Sequence, residues 1–333
     1  MMWENQPWIR DEMTAFEAFA AERFEAKGLA FKEISARLLL TGGKRLRPAM
    51  TILAAKSGEY DRSRVFPAAL AVETLHAATL AHDDIIDGAV LRRGKPTVSE
   101  KHGVNMAVYT GDYLFAKSLL LMAESGLEPE RTELVAKAVL AMCEGEMAQY
   151  LGRYEIASIP QYLRRIARKT GLLFSAACAI GGKAGRLGDA DAKRMARFGF
   201  RFGMAFQIRD DLLDMEMDAS LAGKPVERDL MDGIATLPVL MALHHGPELE
   251  PLLRDCFAGK GNLPEFLNAV RQIGGMRDAD RMLGRYTDKC RKLLSELPRQ
   301  VTRNALEELT DWLMSGSGCM QIQTTDQKRE KDR

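Results

Sequence analysis

Apolar residues recur at helical spacing along almost the whole of this 333-residue chain, and stretches that alternate strand-fashion are nearly absent. A chain patterned in this way has few choices beyond packed helices. The spacing predicts helices over 11–27, 30–40, 48–57, 65–87, 105–125, 129–152, 160–184, 190–216, 235–245, 263–273, 277–296 and 299–314. Short Gly, Pro or Asp punctuation separates them, as at Gly42-Gly43, Gly94 to Pro96 and Gly246-Pro247. No Ser/Pro-rich linker interrupts the series. The expected architecture is one all-α domain over residues 1–314, with a disordered polar tail over 315–333.

Two acidic stretches stand out against this pattern. Asp83-Asp84-Ile85-Ile86-Asp87 follows a very apolar segment, Leu75 to Ala81. If the helix continues, Asp83 and Asp87 share a face one turn apart, with Asp84 about 100° round. Like charges so placed repel, and carboxylates at the end of a packed helix need a counter-charge. The same pattern returns as Asp210-Asp211-Leu212-Leu213-Asp214. Together the clusters read as the walls of one divalent-cation site. Mg2+ suits it, because that ion keeps waters and combines one or two carboxylates with substrate phosphate oxygens.

Cations lie close to both clusters. Thr41-Gly42-Gly43-Lys44-Arg45-Leu46-Arg47-Pro48 joins a flexible backbone to three cations at the start of a helix, which makes an anion site. A solvated basic loop is the plainer reading of that segment taken alone. Arg92, Arg93 and Lys95 follow the first cluster; surface ion pairs worth little would explain them, as would a shared polyanionic ligand. Arg164, Arg165, Arg168 and Lys169 load a later helix, and Lys169-Thr170 sits where it turns apolar. Phe206-Gln207 leads the second cluster by a turn, and Lys224 and Asp229 follow it. His76 lies about two turns before Asp83, near the same face.

Composition excludes several function classes. A net charge of +1 gives no global attraction to nucleic acid or membrane. Cys143, Cys178, Cys256, Cys290 and Cys319 show no CxxC spacing, so reduced thiols in a cytoplasmic protein are expected. Glu73 and His76 interrupt the best apolar run, so no transmembrane segment is expected.

Taken together, these motifs resemble the trans-polyprenyl diphosphate synthase family, over roughly residues 30–300. The finer text around Tyr109-Thr110-Gly111-Asp112 and Tyr162 to Thr170 is similar to the large catalytic subunits, component II, of the heptaprenyl branch. The resemblance implies an all-α, single-domain isoprenoid-synthase helical bundle around a deep central cavity. It implies Mg2+-dependent condensation of an allylic prenyl diphosphate, farnesyl or longer, with isopentenyl diphosphate. A long all-trans product follows, heptaprenyl for a menaquinone side chain in that branch. By the same resemblance Asp83, Asp84, Asp87, Asp210, Asp211 and Asp214 hold metal. Arg92, Lys169, Thr170, Gln207 and Lys224 contact the allylic diphosphate, while Lys44, Arg47, His76 and Arg93 bind isopentenyl diphosphate. A small partner subunit in a heterodimer, or else a homodimer, is implied, with peripheral membrane contact for release of a greasy product.

Product length is argued sterically. Ala78 and Thr79 are small where short-chain members carry aromatics, and Leu75 and Val72 offer a deeper floor. A product longer than farnesyl is expected. The chain departs from the family at Ile234, where many relatives carry lysine, and after Trp312, where the basic-aromatic C-terminus is not recognisable. A homodimeric geranylgeranyl-type synthase is the alternative enzyme. A terpene cyclase is disfavoured by the aspartates at 210–214, and a silent regulatory subunit by the survival of both clusters.

Overall fold

The computed structural model describes residues 6–24, 30–40, 43–92, 94–126, 129–216, 229–297 and 300–315. Among the described residues the elements in chain order are helices, apart from one two-stranded ribbon. The first are α1 (Pro7–Arg23), α2 (Ala30–Leu40), α3 (Leu46–Lys56) and α4 (Arg62–Ile86). The ribbon, β1 (Leu91–Arg92) and β2 (Lys95–Pro96), is antiparallel and sets Arg92 opposite Lys95. After it come α5 (Val98–His102), α6 (Val104–Glu124), α7 (Pro129–Leu151), α8 (Ile159–Ile166), a π-helical turn (Ala167–Gly171), α9 (Leu172–Ala184) and α10 (Asp189–Glu216). The last are α11 (Leu237–His245), α12 (Leu249–Phe257), α13 (Leu263–Ile273), α14 (Gly275–Ser295) and α15 (Gln300–Met314). Among the described residues no helix is long and apolar enough to cross a membrane.

The all-α expectation holds, with three local differences. The expected helix over 160–184 is divided by the π turn into α8 and α9. The ribbon and α5 lie where the sequence showed only punctuation. Helix α12, which contains Pro251, was not among the expected helices. Pro251 stands in the helix's first turn, where its missing N–H has no intrahelical partner to lose.

The backbone forms two compact units. The first comprises Met1–Ala136, Ala176–Ala196 and Leu297–Ala305; the second comprises Lys137–Ser175, Arg197–Glu296 and Leu306–Arg333. In the first, α4 packs along α3 and α6, burying Val65, Leu70, Val72, Leu75 and Ala78. Gly111 of α6 permits that approach, since a Cβ there would stand 2.2 Å from His82 Nε2. In the second, Phe174, Phe198, Phe202, Leu212 and Met215 form an aromatic-rich core.

Candidate functional site

The first acidic cluster ends α4. Asp83 and Asp84 lie in its last turn and Asp87 is its C-cap, with the Asp87 N–H donating to Asp83 O at 2.8 Å. No basic residue occupies that turn. The C-terminal end of a helix carries partial negative charge, so three carboxylates there are unfavourable in the absence of a cation. Asp84 is buried, Asp83 half-buried and Asp87 exposed. Arg92 reaches back from β1 and its Nε donates to Asp84 Oδ1 at 2.7 Å. Leu80, Asp84, Arg92, Lys95, Lys101 and His102 contribute to a cleft of about 730 Å³.

The same logic recurs in the second unit. Asp210, Asp211 and Asp214 occupy the last two turns of α10, again with no basic residue in the final turn. Asp211 is buried, while Asp210 and Asp214 are half-buried. Burial, reinforced by Asp210, Asp211 and Asp229, pushes the Asp214 carboxyl up to about 7. Burial and Asp211 likewise push Asp229 up to about 6, against the opposing pull of Lys169 and Arg165. Four carboxylates, those of Asp210, Asp211, Asp214 and Asp229, thus act on one another here.

Local folding sets the partners of Asp211. A capping box starts α8: the Ser158 N–H donates to Gln161 Oε1 at 2.7 Å and the Gln161 N–H to Ser158 Oγ at 3.4 Å. That box places Tyr162 in the first turn, where its hydroxyl donates to Asp211 Oδ2 at 2.7 Å. Gly203 of α10 lies against the π turn, and a Cβ there would meet Gly171 Cα at 2.9 Å. This close approach lets the Thr170 hydroxyl donate to Gln207 Oε1 at 2.9 Å, while Gln207 Nε2 donates to Asp211 Oδ1 at 3.1 Å. The Leu237 N–H completes the set, donating to Asp211 Oδ2 at 3.3 Å. Burial pushes the Asp211 carboxyl up, although each of these donors favours its charged form.

The other expected residues divide between the units. Lys44 is exposed and Arg47 half-buried at the start of α3, and His76 is half-buried on α4. The neighbouring Arg45 is committed elsewhere, to an ion pair with Glu73 at 2.8 Å. Ala78, Leu75 and Val72 are buried, whereas Thr79 is half-buried and its hydroxyl donates to His76 O at 2.9 Å. Lys169 is half-buried and pairs with Glu146 of α7 at 3.0 Å. Ile234 donates its N–H to Asp229 O at 2.7 Å and, with Arg165 and Arg168, lines a cleft of about 250 Å³. Arg93 and Lys224 lie outside the described residues. Tyr162 enters the sequence reading only as part of the stretch that carries the resemblance, with no role of its own, and Glu146 does not enter it; an isolated aromatic or acid gives no sign of its role until the packing of α8 and α7 is known.

The donor set suits a divalent cation. Among the described residues no three His, Cys, Asp or Glu side chains already form a metal cage. Mg2+ needs none, because one or two carboxylates with water and phosphate oxygens complete its shell.

Comparison with known proteins agrees with the fold. The family Polyprenyl synthetase matches residues 30–272. Heptaprenyl diphosphate synthase component 2 of Geobacillus stearothermophilus is 37% identical over 309 residues, 91% of this chain and 95% of that protein. The crystal structure of heptaprenyl diphosphate synthase from Staphylococcus aureus superposes with a TM-score of 0.86 at 30% identity, covering 93% of this chain and 98% of the other. A polyprenyl synthase from Caulobacter crescentus, solved with calcium and isoprenyl diphosphate, gives a TM-score of 0.84 at 31% identity, covering 93% and 96%. The chain belongs to the polyprenyl synthetase family and is a prenyltransferase.

Proposed function

We propose that this prenyltransferase extends an allylic prenyl diphosphate with isopentenyl diphosphate to a long all-trans product, of heptaprenyl length. The observation that carries the reading is the pair of aspartate clusters, each at a helix C-terminus without a basic residue in the last turn. The names of the Geobacillus and Staphylococcus relatives support the product class.

In this reading Asp83, Asp84 and Asp87, with Asp210, Asp211 and Asp214, bind Mg2+. When bound, Mg2+ supplies charge neutralisation to the leaving diphosphate. Arg92, Lys169, Thr170, Gln207 and Lys224 position the allylic diphosphate and stabilise the charge that develops as its C–O bond breaks. Lys44, Arg47, His76 and Arg93 hold isopentenyl diphosphate so that its double bond attacks the allylic cation. The departing diphosphate accepts the proton lost from the new C–C bonded product. Ala78, Thr79, Leu75 and Val72 set how far the chain grows.

A second chain joins the enzyme, as the component 2 name of the Geobacillus relative suggests. Val104, Val108, Tyr109, Phe115, Leu119 and Leu120 form an exposed apolar face along α6, suited to a small partner subunit or a second copy. The described cysteines are free thiols, in keeping with a cytoplasmic setting.

The test is incubation with labelled isopentenyl diphosphate, farnesyl diphosphate and Mg2+, with and without a candidate small subunit, followed by product sizing. Long prenyl products that vanish with excess EDTA are expected. Elongation that persists in EDTA, or no elongation under any of these conditions, overturns the reading.

A further inference from the structure

Tyr162 is completely buried, and its hydroxyl makes the shortest hydrogen bond to Asp211, 2.7 Å to Oδ2. The other donor to that oxygen, the Leu237 N–H, stands at 3.3 Å, near the limit of useful geometry. Gln207 holds the second oxygen at 3.1 Å and is itself oriented by Thr170. The Arg165 guanidinium lies over the Tyr162 ring, 5.3 Å from its centroid, and donates to Ala235 O at 3.2 Å. Tyr162 therefore ties α8, the end of α10 and the segment entering α11 to a single carboxylate.

We infer that Tyr162 is a positioning residue for the second acidic cluster: through Asp211 it fixes the turn of α10 that presents Asp210 and Asp214 to a divalent cation. The inference rests on the Mg2+ reading of that cluster. Without the hydroxyl, Asp211 Oδ2 keeps only the long Leu237 bond, and a buried carboxylate short of a donor turns or draws in water. The carboxylates one residue before it and three after it then lose their register. Partners that orient metal ligands in this way typically govern metal affinity by about 10–100-fold.

The test is Tyr162→Phe, which removes one oxygen and keeps the ring. Mg2+ is titrated calorimetrically into the metal-free full-length chain, alone and in the presence of inorganic diphosphate, and circular dichroism reports the fold. Mg2+ dissociation constants about tenfold higher than wild type are expected in Tyr162→Phe, with elongation recovering at excess Mg2+. Asp211→Asn is measured alone and combined with Tyr162→Phe; if the tyrosine acts through Asp211, the double variant binds Mg2+ no more weakly than the weaker single variant. An unchanged Mg2+ affinity overturns the inference, as do multiplying effects in the double variant. An unfolded Tyr162→Phe chain also overturns it, because the residue would then be structural. If the wild-type chain binds no Mg2+ even with inorganic diphosphate present, the metal reading itself fails and takes the inference with it; if only the variants behave otherwise, the metal reading stands.

Discussion

Arg92 Nε donates to Asp84 Oδ1 at 2.7 Å, joining the ribbon to the last turn of α4 through a carboxylate that is only 3% exposed. The bond sets a cation where the helix end accumulates negative charge. It also orders the segment that carries Lys95 and Thr97. Replacing Arg92 with Ala leaves a buried carboxylate short of a charged donor. The expected loss is about 1–3 kcal/mol in unfolding free energy, read from urea denaturation of the metal-free chain. The same variant should raise the KM for the allylic diphosphate, since Arg92 is proposed to contact it.

Burial and neighbouring carboxylates push Asp214 up to about 7 and Asp229 up to about 6. As the pH falls through this range in the metal-free protein, these groups take up protons that a cation must displace. Mg2+ affinity should therefore fall as the pH drops below about 7, and calorimetry near pH 6.5 in buffers of different ionisation enthalpy should show proton release that Asp214→Asn reduces. The effect on stability has the opposite sign to that of an ordinary salt-bridged aspartate. Between the usual carboxylate range and about 7 the folded chain binds more protons than the unfolded one, so in EDTA this group makes the fold more stable on acidification.

Glu12 is the contrasting case. It is buried in α1, where it accepts hydrogen bonds from Lys56 at 3.1 Å, Tyr60 at 2.6 Å and Arg62 at 3.0 and 3.1 Å. Burial alone would push its carboxyl up, but the bonds from Arg62, Tyr60 and Lys56 hold it at about 2. Its contribution is complete above pH 4.5 and is lost as the pH falls towards 2. Glu12→Gln should flatten that acid limb by about 2 kcal/mol, measured as denaturation midpoints across the window. Mg2+ binding should stay as in wild type, since Glu12 belongs to the α1–α3–α4 contact.

Ala78 is 2% exposed on α4, five residues before Asp83. A phenylalanine there must displace neighbouring side chains, at a cost of about 1–3 kcal/mol. If product length is limited along this part of α4, Ala78→Phe should shorten the prenyl products seen by chromatography while condensation continues. Thr79→Phe, at a half-buried position, should shorten them with less loss of stability. Identical product distributions in both variants and wild type would remove these residues from length control.

The helical class was legible in the chain because apolar spacing is a local property, and α2, α6, α7, α10, α13 and α15 run close to where that spacing put them. The acidic clusters were legible for a similar reason: three aspartates within five residues leave a helix little freedom over which face carries them. The π turn at Ala167–Gly171 was not legible, because the sequence there continues a helical pattern. In that turn Gly171 lies against Gly203 of α10, a neighbour that only packing supplies. Tyr162 gave no sign for the same reason. Its role depends on Asp211, 49 positions away, and on the Leu237 N–H beyond that.

The sequence by itself thus determined which residues carry charge and on which elements they ride, since both follow from neighbours within a turn or two. The tertiary structure alone decided how those charges are held: that Asp84 is met by Arg92, that Asp211 accepts from Tyr162 and a backbone N–H of α11, and that Asp214 is crowded by Asp229 as well as by its own helix's carboxylates. Hydrogen bonding and desolvation depend on groups brought together by packing, and no spacing along the chain encodes them.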